Sequence, residues 1–213
     1  MNYIKEAFYP RDIGHAKEIC LSPEPGVSYK FDMETQATVK LFIDNVYAFN
    51  DAVIGDFGCG VGRISKGLIS TLGCTCYGFD FSLPMLQAAT QFVASKKFIP
   101  ISTPLTEDEK INFFQKFDTI LSIYVLQHSP TPEEDIDFIY DSLKNDGKFI
   151  TVNENKRFIP VGIDDKNAGL IYWEDDGINI NEMISKKFNL VAEHPYPRRF
   201  DVNFMVWEKK ITN

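Results

Sequence analysis

Several features are scarce in this sequence, and each scarcity excludes a class of protein. No apolar run approaches the roughly 18 residues that a membrane span needs, so no membrane association is expected. The basic residues cluster only into short pairs such as Lys96–Lys97 and Arg198–Arg199, and the formal charge is −8. Proteins that grip DNA through its phosphates carry a basic stripe instead. DNA is therefore not an expected partner, although local patches leave an RNA or a protein substrate open. The four cysteines, Cys20, Cys59, Cys74 and Cys76, include no CxxC pair, so free thiols are expected and no metal site. The opening "MNYIKEAFYPRDIGHAKEIC" lacks the character of a signal or transit peptide, which points to the cytoplasm. Nothing in the sequence indicates an oligomeric state.

What is present suits one domain of 213 residues with an aromatic-rich interior, given 18 phenylalanines. Residues 1–33 hold Pro10, Pro23 and Pro25 and read as an irregular N-terminal cap segment with at most one short helix. Residues 34–49 repeat apolar positions at helical spacing. After them strands and helices alternate: "AVIGDF", a helix closed by Gly73, "CTCYGF", a helix capped by Ser82, "KFIPIS", "FDTILSIYVL" and "KFITVNE". Two capping boxes, at 106–109 and 131–134, open further helices. Residues 155–178, with Pro160 and three glycines, read as an irregular insertion over the site. A helix near 180–188 and the strands "FNLVAEH" and "FDVNFMVWEK" follow, with only "PYPRR" between the two strands.

Alternation of this kind predicts an α/β three-layer sandwich, a mostly parallel sheet with helices on both faces. The short final connection makes the last two strands an antiparallel pair, so one late strand enters the sheet antiparallel.

The stretch "VIGDFGCGVGR" places Gly58, Gly60 and Gly62 directly after the first strand and before a helix. In open parallel sheets, ligands bind beyond the carboxyl ends of the strands. A helix start there offers free N–H groups to an anion. Asp80 follows Gly62 by 18 residues and ends the second strand, where a carboxylate can accept both hydroxyl hydrogens of a ribose. Glycines, helix start and acid together describe a site for a nucleoside with an anionic tail. The spacing G-x-G-x-G differs from the G-x-G-x-x-G of nicotinamide dehydrogenases, which disfavours an NAD-dependent oxidoreductase.

Four ordered segments, "VIGDFGCGVGR", "YGFDFSLPML", "FDTILSIYVLQHS" and "LKNDGKFI", resemble the class I S-adenosylmethionine-dependent methyltransferases over about residues 34–154. The resemblance implies a Rossmann-like, seven-stranded sheet and S-adenosylmethionine as cofactor, with S-adenosylhomocysteine as product. Gly58, Cys59, Gly60 and Gly62 would surround the methionine moiety, Asp56 would hold its ammonium group, and Asp80 the ribose. Phe81 and Leu83 would flank the adenine or simply pack. The family often places an acid after the third strand to read the adenine amino group. This chain has "ISTPL" there, so Ser102, Thr103 or a backbone carbonyl would stand in.

Candidates for the chemistry follow the fourth and fifth strands. His128, in "VLQHSP", suits a general base or else fixes its loop by hydrogen bonds. Tyr124 would line the cofactor site. Gln127, Asn153, Tyr172 and Trp173 are candidate substrate contacts, or strand ends and packing aromatics. No Asn-Pro-Pro-Tyr-type or Pro-Cys motif follows the fourth strand, which disfavours amino-methylating DNA enzymes and cysteine-nucleophile cytosine enzymes. The expected activity is methyl transfer to an oxygen or nitrogen of a small molecule. Two alternatives stay open: a module that binds the cofactor without catalysis, and a methyltransferase acting on protein or RNA.

Overall fold

The computed structural model describes residues 3–21, 30–46, 51–154, 156–164, 169–175, 179–196 and 202–210. Chain order starts with helices α1 (Ile13–Cys20) and α2 (Lys30–Asn45). There follow β1 (Val53–Phe57), α3 (Arg63–Leu72), β2 (Thr75–Asp80), α4 (Leu83–Val93), β3 (Phe98–Ser102) and α5 (Glu107–Lys110). The second half runs β4 (Phe117–Ile123), α6 (Pro132–Ser142), β5 (Leu143–Val152), β6 (Arg157–Asp164), β7 (Gly169–Asp175), α7 (Ile180–Lys187), β8 (Phe188–Pro195) and β9 (Asn203–Lys209).

Seven strands form one sheet in the order β3-β2-β1-β4-β5-β9-β8. The first five are parallel, and β9 lies antiparallel between β5 and β8. The expected three-layer architecture and the late antiparallel insertion both hold. Strand order reverses between β1 and β4, and that switch point leaves a crevice at the carboxyl ends of β1, β2 and β4. Ile54, Leu121, Ile150 and Phe204 belong to the core on one face of the sheet, packed beneath α2, α3 and α4. Phe79, Phe117, Phe149 and Trp207 belong to the core on the other. β1 is buried almost throughout because it is central and covered on both faces, which is why it reads as a continuous apolar run.

Local signals behave as expected at several ends. Gly73 adopts the left-handed conformation that closes α3. Ser82 accepts from Met85 N at the start of α4, and Thr106 with Glu109 forms a reciprocal capping box. Among the described residues no helix is long and apolar enough to cross a membrane.

Four expectations need correction. The segment 155–178 is not irregular: β6 and β7 pair as a separate antiparallel hairpin from Arg157↔Asp175 to Asp164↔Gly169. Its proline and glycine sit at a register shift between Pro160 and Gly162, so turn-forming residues mark a bulge rather than a loop. The first 33 residues hold more order than expected, with a 3-10 turn at Lys5–Phe8, the helix α1, and the start of α2 at Lys30. The helix read at 34–49 therefore begins a turn earlier. Thr131 makes no side-chain cap on α6; Ser129 Oγ accepts from Thr131 N instead and donates to Asp135 Oδ2. Residues 197–199 of the loop "PYPRR" fall outside the described residues.

Candidate functional site

A cavity of about 510 Å³ opens at the switch point, floored by the loop after β1 and the end of β2. Gly58, Gly60 and Gly62 all have positive φ, at 70°, 55° and 75°. Such backbone is costly for any residue with a Cβ. A Cβ on Gly58 would lie 2.3 Å from Val125 Cγ2, and one on Gly60 2.4 Å from Cys20 Sγ. Both residues line the cavity with backbone while packing tightly behind it. Gly62 does not line it: a Cβ there would meet Val93 Cγ2 at 2.6 Å, so this glycine serves the contact of α3 with α4. Cys59 lines the cavity and is buried.

Two carboxylates face this loop. Asp80 accepts from Gly60 N on Oδ2 at 3.1 Å and from Ser82 N on Oδ1 at 2.9 Å. Burial pushes its carboxyl up to about 6, against the pull of those N–H groups, and Asp56 adds to the rise. Asp56 accepts from Ser65 Oγ at 2.6 Å. Burial likewise raises it to about 6, opposed by Ser65 and by the guanidinium of Arg63. Each carboxylate keeps acceptor capacity directed at the cavity.

The far wall comes from the end of β4. Tyr124 has φ 60°, a strained backbone for a non-glycine residue. Its N–H donates to Val152 O at 2.7 Å, and its ring meets Tyr196 edge-on at 5.7 Å. His128 Nδ1 lies 2.7 Å from Phe158 O, so Nδ1 carries the proton and Nε2 keeps its lone pair. Gln127 Oε1 accepts from Glu154 N at 2.7 Å, which turns its amide nitrogen toward His128 Nε2 at 3.4 Å. Burial lowers the His128 pKa below its ordinary value, against the bond to Phe158, so the neutral imidazole is favoured. His128 thus both fixes its loop and presents a basic nitrogen at the cavity wall.

Side chains of the N-terminal segment, expected only as an irregular cap, lie over these groups. Ile4 N donates to Pro160 O at 2.9 Å, tying the N-terminal segment to the β6–β7 hairpin. Phe8 packs against Phe81 at 5.7 Å and against His128 at 5.8 Å, and Tyr3 meets Phe81 at 6.2 Å. Burial, then Asp80 and Asp135, drive the Tyr3 hydroxyl far above its usual range, so it stays protonated. Lys5, Glu34 and Arg63 also reach the cavity. Only Arg63, adjoining the glycine loop, carried a positional signal; the others arrive through tertiary packing.

Several expected residues lie away from the cavity wall. Ser102 ends β3 on its exposed side, whereas Thr103, the next residue, lines the cavity. Leu83 is 59% exposed, outside the wall that Phe81 forms. Asn153 is buried at the end of β5 without reaching the cavity, and neither amide atom has a hydrogen-bond partner. Tyr172 pairs with Pro160 in the hairpin, is 46% exposed and does not line the cavity. Trp173 pairs with the buried Ile159 and lies 5.7 Å from the Arg157 guanidinium, which is packing. Among the described residues no cluster of histidine, cysteine and acid side chains could hold a metal.

Residues 55–151 match the family model described as a methyltransferase domain. Among curated proteins, the ubiquinone biosynthesis O-methyltransferase of Pelagibacter ubique (strain HTCC1062) is 27% identical over 180 residues, spanning 74% of this chain and 68% of that protein. Among solved structures, the N-methyltransferase NodS from Bradyrhizobium japonicum WM9, in complex with S-adenosyl-L-homocysteine, has a TM-score of 0.61 at 13% identity, over 94% of this chain and 96% of its own. The [4+2]-cyclase SpnF gives a TM-score of 0.65 at 14% identity, over 90% and 86%. The last two share the fold, and a cyclase among them means that the fold alone does not choose the reaction.

Proposed function

We propose that this chain, which belongs to the class I S-adenosylmethionine-dependent methyltransferases, methylates an oxygen or nitrogen of a small molecule. The observation that carries the reading is the roof: Phe8 wedged between Phe81 and His128, with Ile4 bonded to the hairpin at Pro160. A covered cavity of about 510 Å³ suits a cofactor and a compact acceptor. The curated O-methyltransferase relative points the same way.

The residues present fit the cofactor. Asp80 has acceptor capacity for two ribose hydroxyls, and Gly58 and Gly60 offer a wall of backbone with no side chain. Asp56 supplies a negative charge for an ammonium group, and Phe81 an apolar face for a base. Bound there, S-adenosylmethionine supplies a methyl group activated on a sulfonium. The protein's work is then alignment and exclusion of water, which the roof and Tyr124 provide. Where the acceptor atom carries a proton, His128 Nε2 is placed to take it, with Phe158 O holding the ring through Nδ1. Gln127, fixed by Glu154 N, donates to that nitrogen across a long 3.4 Å, a bond that the acceptor's own N–H or O–H replaces.

The test supplies the protein with S-adenosylmethionine tritiated on the methyl group. The low-molecular-mass fraction and the macromolecular fraction of a cell extract are offered separately. Label passing to the small-molecule fraction, and lost with Asp80→Ala, is the expected result. Label on protein or RNA alone would replace the acceptor class, and binding without transfer to either would replace catalysis with a binding role.

A further inference from the structure

We propose that Tyr196, in the connection between β8 and β9, is a positioning residue for the cofactor cavity: it holds Tyr124 at the wall and ties that wall to α2. The inference rests on the reading above that the cavity takes S-adenosylmethionine. Tyr196 is buried and does not line the cavity. Tyr124 does line it, from a backbone at φ 60°. A non-glycine residue keeps such a conformation only where its surroundings over-determine it. Two contacts supply that constraint. The Tyr124 N–H donates to Val152 O at 2.7 Å, and its ring meets the Tyr196 ring edge-on at 5.7 Å and 85°. The first fixes the backbone to β5, and the second sets the side chain against the last hairpin of the sheet.

Tyr196 is itself held at both ends. Its N–H donates to Val202 O at 3.3 Å, across the base of the β8–β9 connection. Its hydroxyl lies 2.5 Å from Thr38 Oγ1, and the Thr38 hydroxyl donates to Glu34 O at 2.7 Å. A threonine hydroxyl has one hydrogen, so Tyr196 is the donor to Thr38. Thr38 is buried on α2, one turn from Glu34, which lines the cavity. Tyr196 thus joins two walls of the cavity, the end of β4 and the helix α2, through a hydrogen bond between buried groups. The residue after Tyr124 carries the effect further. A Cβ on Gly58 would lie 2.3 Å from Val125 Cγ2, so the loop after β4 is packed directly behind the glycine loop after β1. A displaced Tyr124 therefore moves Val125 and the backbone against which the ligand lies.

The experiment titrates S-adenosylhomocysteine calorimetrically into the wild type, Tyr196→Leu, Tyr124→Ala and the double variant. Tyr196→Leu is expected to weaken binding roughly tenfold in the wild-type background and less than about twofold in the Tyr124→Ala background. Tyr196→Phe keeps the ring and is expected to bind within about threefold of the wild type. A merely structural Tyr196 would lower the melting temperature without any such dependence on residue 124. Equal weakening in both backgrounds, or Tyr196→Leu binding within about twofold of the wild type, overturns the inference. If Tyr196→Leu does not fold, Tyr196→Phe and Thr38→Val carry the test, since each removes the same hydrogen bond. Each is then expected to weaken binding about threefold, and the two together no more than either alone. An affinity unchanged in both overturns the inference. If the wild type does not bind the ligand, the cofactor reading fails instead, so the two failures are distinguishable.

Discussion

The backbone N–H of Gly60 donates to Asp80 Oδ2 across 3.1 Å, joining the loop after β1 to the end of β2. A glycine with positive φ and a buried carboxylate thus hold each other in place before any ligand arrives. Asp80→Ala removes this bond and the ribose acceptor together. We expect the affinity for S-adenosylhomocysteine to fall by roughly 100-fold or more, from two charge-assisted hydrogen bonds at about 1.5–3 kcal/mol each. Calorimetry on the refolded, monodisperse variant reads it; binding within a few-fold of wild type would remove Asp80 from the site.

The same carboxylate makes cofactor binding pH-dependent. Asp80 is raised to about 6 without ligand, and the charged groups acting on it include Asp56, while Tyr3, Cys20 and Cys59 feel its charge. Accepting two hydroxyl hydrogens requires the ionised form, so affinity rises as pH increases through about 6 and then levels. Binding near that pH releases protons, and the observed enthalpy will track the ionisation heat of the buffer. For stability the sign is opposite. A carboxyl raised above its ordinary value of 3.8 favours the folded state as pH falls from above 6 toward 4. Melting temperatures of wild type and Asp80→Asn across that range should differ in slope accordingly.

His128→Ala should lower kcat by about 10²–10⁴ if the acceptor atom carries a proton. Because burial holds the imidazole below its usual pKa, the acid limb of kcat against pH should lie below 6.5. Cofactor affinity, measured separately, should change little. A variant with unaltered kcat would leave His128 with its loop-fixing bond to Phe158 alone.

Gly58→Ala places a methyl group 2.3 Å from Val125 Cγ2 on a backbone with φ 70°. The strained φ alone costs about 1–3 kcal/mol, and the collision adds to it. Adding Val125→Ala to Gly58→Ala should recover the part due to the collision and leave the part due to the backbone. Denaturant midpoints of the two single variants and the double variant separate the contributions.

Phe8→Ala removes the ring that meets both Phe81 and His128. The ring also lines the cavity, and with one aromatic contact to a ligand worth about 0.5–1.5 kcal/mol, ligand affinity should weaken about 2- to 12-fold. The melting temperature should move little, since the 3-10 turn carrying Phe8 has no buried residue. A large loss of stability instead would make Phe8 part of the core rather than of the roof.

Features set by short-range chemistry were legible in the sequence. Gly58, Gly60 and Asp80 announce themselves because a strand end, a positive-φ loop and a helix start are neighbours along the chain. The antiparallel entry of β9 was legible because a short connection cannot make a parallel crossover. The hairpin of β6 and β7 was not, since Pro160 and Gly162 signal a turn whether they end a strand or bulge it. Tyr3 and Phe8 lay hidden within a segment that read only as an irregular cap. Their places depend on contacts between segments remote in sequence, Tyr3 with Phe81 and Ile4 with Pro160. By itself the sequence determined the sheet, the glycine loop and the acid at the end of β2, because period, turn chemistry and spacing are local. Only the tertiary structure decided which residues roof the cavity, because that depends on packing that brings distant segments together.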